Sequence, residues 1–149
     1  MIAGDVSGST TDAATTVLIA DDDEEDRSLT RIVLQKSRIA HRFLIVEDGE
    51  ELMDYLHHRG QYSDPAKSPR PGLILLDLNM PRKNGWEALC EIKLDARLRD
   101  IPIVILTVSK EFEDIYRSNN LGADSYLTKP ITVESFGKVL KELRTLVTA

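Results

Sequence analysis

Five short apolar runs, residues 17–20, 43–46, 73–76, 103–107 and 125–127, alternate along the chain with stretches of helical period. Most of their residues are Val, Ile and Leu at successive positions, so both faces of each strand are apolar and neither is suited to water. The first helical stretch carries Leu29, Ile32 and Val33, the second Leu52, Met53 and Leu56, and the third Leu89 and Ile92. A weak fourth lies around Ile115 and Tyr116. The fifth has the clearest stripe: Phe136, Val139, Leu140, Leu143, Leu146 and Val147, spaced i, i+3, i+4, i+7, i+10 and i+11. Strict alternation of two-faced strands with helices predicts an α/β fold, a doubly wound parallel sheet of five strands with helices on both sides. Helix starts agree, since Asp48 and Glu51 have capping-box spacing and Thr132 is placed to cap the last helix. In such sheets ligands bind beyond the carboxyl ends of the strands, where strand order reverses.

A chain of 149 residues makes one domain of this kind and has no room for a second. Residues 1–16 (MIAGDVSGSTTDAATT) have almost nothing to bury and are expected to form a tail, leaving residues 17–147 as the folded domain with no output domain behind it. With 19 basic against 25 acidic residues the net charge is −6, which disfavours a nucleic-acid partner bound through its phosphates. The longest apolar runs are four or five residues, against the roughly 20 that span a bilayer, so no membrane partner is expected. One cysteine, Cys90, leaves no internal disulfide to form, and the expected compartment is the cytoplasm. Residues 59–72, with three prolines, are expected to be an exposed loop.

The strand ends share one chemistry. Asp21, Asp22 and Asp23 follow the first strand, Asp77 the third, Thr107 the fourth, and Lys129 with Pro130 the fifth. Carboxylates about 4 Å apart repel by about 4 kcal/mol at an effective dielectric near 20, so they stay ionised together only around a cation. Oxygen ligands with space for water select Mg²⁺. A lysine at the neighbouring strand end suits a phosphoryl oxygen or the carboxylate itself. The acids at 23–26 read instead as a solvated first turn, favoured by the helix dipole.

Other residues carry less. His57 and His58 are adjacent and diverge by about 100° on a helix, so they do not grip one metal and read as exposed helix-end residues. His41 reads as a surface residue, Cys90 as a small buried hydrophobe, and Trp86 as packing near the strand ends. The phosphate-binding glycine loop, the dinucleotide fingerprint and the zinc-hydrolase motif are all absent.

Four segments together resemble the receiver domain of two-component response regulators: VLIADDD, LILLDLNMPRKNG, PIVILT and LGADSYLTKP. The likeness spans about residues 17–146, and is greatest to the small stand-alone receivers paired with bacterial phytochromes. It implies a flavodoxin-like sheet of order 2-1-3-4-5 with five helices. It also implies that Asp77 accepts a phosphoryl group from a sensor histidine kinase, of phytochrome type in the nearest likeness. Asp22, Asp77 and the backbone carbonyl of Asn79 would ligate Mg²⁺, with Asp21 acting mostly through a water on the metal. Lys129 and Thr107 would contact the phosphoryl group, and the Lys129–Pro130 bond is expected to be cis, aiming the lysine inward. Movement of Thr107 would let Tyr126 rotate inward, altering a face made by the fourth helix, fifth strand and fifth helix through which such domains form homodimers or bind targets. Asn79 and Ser109 flank the site and would influence hydrolysis of the acyl phosphate. Two other functions compete with this one. A scaffold that binds without phosphorylation would not need all five site positions filled by competent residues. An aspartyl phosphatase would want an acid two residues after the nucleophile, where this chain has Asn79.

Overall fold

The computed structural model describes residues 16–37, 42–78, 80, 82–108 and 122–148. In chain order the elements are β1 (Thr16–Ala20), α1 (Glu24–Ser37), β2 (Arg42–Val46), α2 (Gly49–Leu56), β3 (Leu73–Asp77), α3 (Gly85–Leu94), β4 (Ile103–Thr107), β5 (Ser125–Thr128) and α4 (Val133–Thr148). All strand pairs are parallel, in the order β2-β1-β3-β4-β5. This is the doubly wound sheet expected from the alternation. Four of the five expected helices are described, and the fourth stretch, around Ile115 and Tyr116, lies outside the described residues. The first strand starts at Thr16, buried and one residue earlier than expected, while residues 1–15 lie outside the described residues.

Period-two alternation splits the sheet's side chains between two cores. Leu18, Ala20, Ile74, Leu76, Ile103 and Ile105 pack with α2 and α3 residues such as Leu52, Met53, Leu89 and Ile92. Val17, Ile19, Leu75, Val104 and Leu106 pack on the other face with Val33 and Leu34 of α1 and Phe136, Val139 and Leu140 of α4. The three central strands are buried throughout. The edge strands β2 and β5 are only partly buried, so apolar character on both faces marks the centre of the sheet and not its rims.

Side-chain caps start three of the helices. Asp48 accepts from Glu51 N at 2.8 Å, but Glu51 Oε1 takes its hydrogen bond from Glu47 N, one residue before the cap. A reciprocal capping box occurs instead at Asn84 and Glu87, starting α3. Thr132 Oγ1 accepts from Ser135 N at 3.0 Å and caps α4.

Three expectations are corrected. Leu29 and Ile32 are each 47% exposed, because α1 turns Thr30, Val33 and Leu34 inward, the i, i+3, i+4 set that a polar first member concealed. Cys90 is exposed, pointing away from the face that α3 buries with Ala88, Leu89 and Ile92. The 59–72 connection is more than a solvated loop. It contains a 3₁₀ turn, Gly60–Tyr62, and side chains pin its later part: Tyr55 Oη donates to Pro69 O at 2.7 Å, His58 Nε2 lies 2.8 Å from Ser68 O, and Arg42 donates to Lys67 O. Ser68 is buried. Among the described residues no helix is long and apolar enough to cross a membrane.

Candidate functional site

Strand register assembles the site. β1 and β3 are neighbours with Ala20 opposite Leu76, so the residues that follow, Asp21 and Asp77, leave the sheet side by side. Here the chain order reverses, with β2 beyond β1 on one side and β4 beyond β3 on the other. Thr107 ends β4 opposite Thr128, which brings Lys129 to the same edge, and Lys129 N donates to Thr107 O at 2.8 Å. The Lys129–Pro130 peptide bond is cis.

Asp21 is fully buried, Asp77 and Thr107 are nearly so, and Asp22 is exposed. Backbone contacts hold Asp21 in place: its N donates to Val46 O at 3.0 Å, and its O accepts from Arg27 Nη1 at 3.1 Å. Asp21, Asp22 and Asp77 each offer a carboxylate oxygen, and these oxygens lie within 4.8 Å of one another. Lys129 Nζ stands 2.9 Å from Asp21 Oδ2 and 3.2 Å from Asp77 Oδ2. Burial by itself would lower the lysine pKa. Its contacts to Asp21 and Asp26 and the charges of Asp77 and Asp21 outweigh that, and hold Lys129 above the usual lysine range.

One lysine does not neutralise three acids. Asp21 Oδ2 is fully buried and, among the described residues, has an ion pair to Lys129 at 2.9 Å but no hydrogen bond. A buried carboxylate oxygen without a hydrogen bond is costly. An all-oxygen donor set around it fits a hard divalent cation.

Sequence reasoning missed Asp26. Read as a solvated first-turn acid, it accepts a hydrogen bond from Lys129 Nζ at 2.9 Å and is only partly exposed. The signal was a weak one: Asp26 lies in the first turn of α1, only five residues after Asp21 at the end of β1. Tyr126 lies on β5 opposite Ile105, 40% exposed. Trp86 is half-buried against the α2 and α3 core. His57 and His58 are partly buried, and with Tyr55 and Arg70 they line a cavity of about 220 Å³ beside Pro71, at the opposite end of β3 from the acids. Asn79, Ser109 and His41 lie outside the described residues.

Known proteins share this fold. A family model described as the response regulator receiver domain matches residues 17–141. The response regulator Rcp1 of Synechocystis sp. is 39% identical over 125 residues, covering 84% of this chain and 83% of its own. A structure of its Mn²⁺-bound form superposes with a TM-score of 0.73 at 40% identity, covering 85% of this chain and 90% of that one. The bacteriophytochrome response regulator RtBRR gives a TM-score of 0.79 at 34% identity, over 87% of this chain and 77% of its own. The phosphorylated cyanobacterial phytochrome response regulator RcpA gives 0.73 at 37% identity, over 91% and 96%. With its sheet order, its acid-lined switch point and a family match across most of its length, this chain belongs to the response regulator receiver domain family, a family of signalling domains.

Proposed function

We propose that this domain accepts a phosphoryl group on Asp77 from the phosphohistidine of a cytoplasmic sensor histidine kinase, and signals by altered protein contacts. In the transfer a carboxylate oxygen of Asp77 attacks phosphorus, a P–O bond forms, and the P–N bond to the imidazole breaks, its electron pair leaving with the ring. Such transfer asks the protein mainly for in-line positioning and charge neutralisation. Lys129 supplies a cation to the phosphoryl oxygens, and Thr107, buried at the end of β4, supplies a hydroxyl donor. Asp21, Asp22, Asp77 and the backbone carbonyl of Asn79 would hold Mg²⁺, which when bound neutralises charge on the transferred group. The domain would also dephosphorylate itself. Engagement of Thr107 would draw the exposed Tyr126 inward and alter the face that includes β5 and α4, the surface for a target or a second copy. The likeness to RtBRR and RcpA favours a phytochrome-type kinase as partner.

One observation carries the reading: the lysine that follows β5, its side chain only 9% exposed, lies within 3.2 Å of an acid from β3 at the switch point of the sheet. The test is labelling by a phosphorylated histidine kinase. Wild type takes up phosphate, whereas Asp77→Asn stays folded and unlabelled; labelling that survives this change rejects Asp77 as the acceptor. Beryllofluoride with Mg²⁺ is expected to change Trp86 fluorescence or oligomeric size, and a silent response with no kinase labelling would leave a fixed scaffold.

A further inference from the structure

We propose that Asp26 is a positioning residue for phosphoryl acceptance, holding the ammonium of Lys129 from the α1 side so that it stays aimed at Asp77. The inference rests on Asp77 as acceptor and deepens that reading. Asp26 and Lys129 are 103 residues apart, and only the tertiary fold brings them together. Three carboxylates share the ammonium: Asp26 Oδ2 at 2.9 Å in an aligned hydrogen bond, Asp21 Oδ2 at 2.9 Å, and Asp77 Oδ2 at 3.2 Å.

An ammonium has three N–H donors on a flexible four-carbon stem. The two shorter contacts come from Asp21, at the end of β1, and from α1, elements that a phosphoryl group on β3 does not touch covalently. The longest is to the group that reacts. Lys129 is therefore held by one hydrogen bond, to Asp26, and one ion pair, to Asp21, and keeps donors for the place where the phosphoryl oxygens arrive. Without Asp26 one anchor remains, and a lysine side chain recovers rotamer freedom that it must give up again in the transfer. Asp26 is not among the three acids whose oxygens converge as a cation site, so its effect runs through the lysine.

The experiment uses the full chain with saturating Mg²⁺ and acetyl phosphate as donor. Asp77 forms its P–O bond as the P–O bond to acetate breaks, and the initial rate of acyl-phosphate formation is read. Loss of a hydrogen bond to a charged group predicts that Asp26→Ala lowers this rate about tenfold. Asp26→Asn, which keeps an acceptor oxygen, loses less, and Asp26→Glu recovers part of the rate. In a Lys129→Ala chain the rate is low, and adding Asp26→Ala lowers it no further. A rate in Asp26→Ala equal to or above wild type overturns the proposal. So does the same fractional loss with and without Lys129, which would mark general damage to the fold. Labelling that persists in Asp77→Asn overturns the acceptor reading as well, a result the Asp26 variants alone cannot produce.

Discussion

Gly85 occupies a position where any side chain would strike the backbone that carries Asp77. A Cβ there would lie 2.2 Å from Asp77 O and 2.6 Å from Leu78 Cα, while Gly85 N donates to Leu78 O at 3.0 Å. Gly49 meets the same loop from α2: its N donates to Lys83 O at 2.8 Å, and a Cβ would come within 2.0 Å of that oxygen. Within this loop Arg82 sits at φ 63, a left-handed conformation uncommon outside glycine, and its guanidinium pairs with Asp48 at 3.0 Å. Because backbone meets backbone, the overlap is not relieved by rotating a side chain. Gly85→Ala is expected to cost about 3 kcal/mol in urea unfolding and to reduce labelling of the fraction still folded, because Asp77 must move. Gly137, inside α4, is the opposite case, with nothing within 4 Å of the place a methyl group would take. Gly137→Ala should therefore stabilise by about 0.5–1 kcal/mol through lower unfolded-state entropy, with labelling unchanged.

At the scale of elements, α2 and the segment that follows it form a unit fastened by polar side chains. Tyr62 from the 3₁₀ turn makes a short hydrogen bond to Glu51 on α2, and its ring stacks at a tilt on Tyr55, centroids 5.1 Å apart. Burial, then the Glu51 hydrogen bond and the nearby charges of Glu51, Tyr55 and Asp54, raise the Tyr62 pKa above the ordinary tyrosine value. Burial also raises Tyr55, with Arg42 opposing it. The sign follows from linkage: a pKa higher in the folded state means that the unfolded chain loses the proton first, so the contribution to stability is complete below about pH 10 and declines as pH rises beyond it. Tm should fall more between pH 9 and pH 11 in wild type than in Tyr62→Phe. Equal falls in the two proteins would show that Tyr62 does not set the alkaline limit.

For the whole molecule, the acidic edge trades stability for a binding site. Asp21, Asp22 and Asp77 repel one another, and a cation that binds only the folded chain returns RT ln(1 + [M]/Kd), about 2.7 kcal/mol at a hundred times Kd. Mg²⁺ is therefore expected to raise Tm by several degrees over chelator-treated protein. Asp22→Ala should abolish most of this rise and Asp21→Ala part of it. In chelator, Asp22→Ala should be no less stable than wild type, since it is exposed and its removal relieves repulsion. Equal rises in all three proteins would remove these acids from the cation site.

The alternation of strands and helices was legible in the residues alone, and so were the side chains that end each strand, because periodicity is local and a parallel sheet sends strand ends to one edge. Asp21, Asp77, Thr107 and Lys129 could be named in that way. The inward turn of Thr30 in place of Leu29, the outward turn of Cys90, and the pinning of residues 67–69 depended on how each element is rotated and seated on the sheet. The hydrogen bond between Lys129 and Asp26 belongs with these. Contacts between elements distant in sequence follow from packing angle and register, which no local pattern encodes, and only the folded chain decides them.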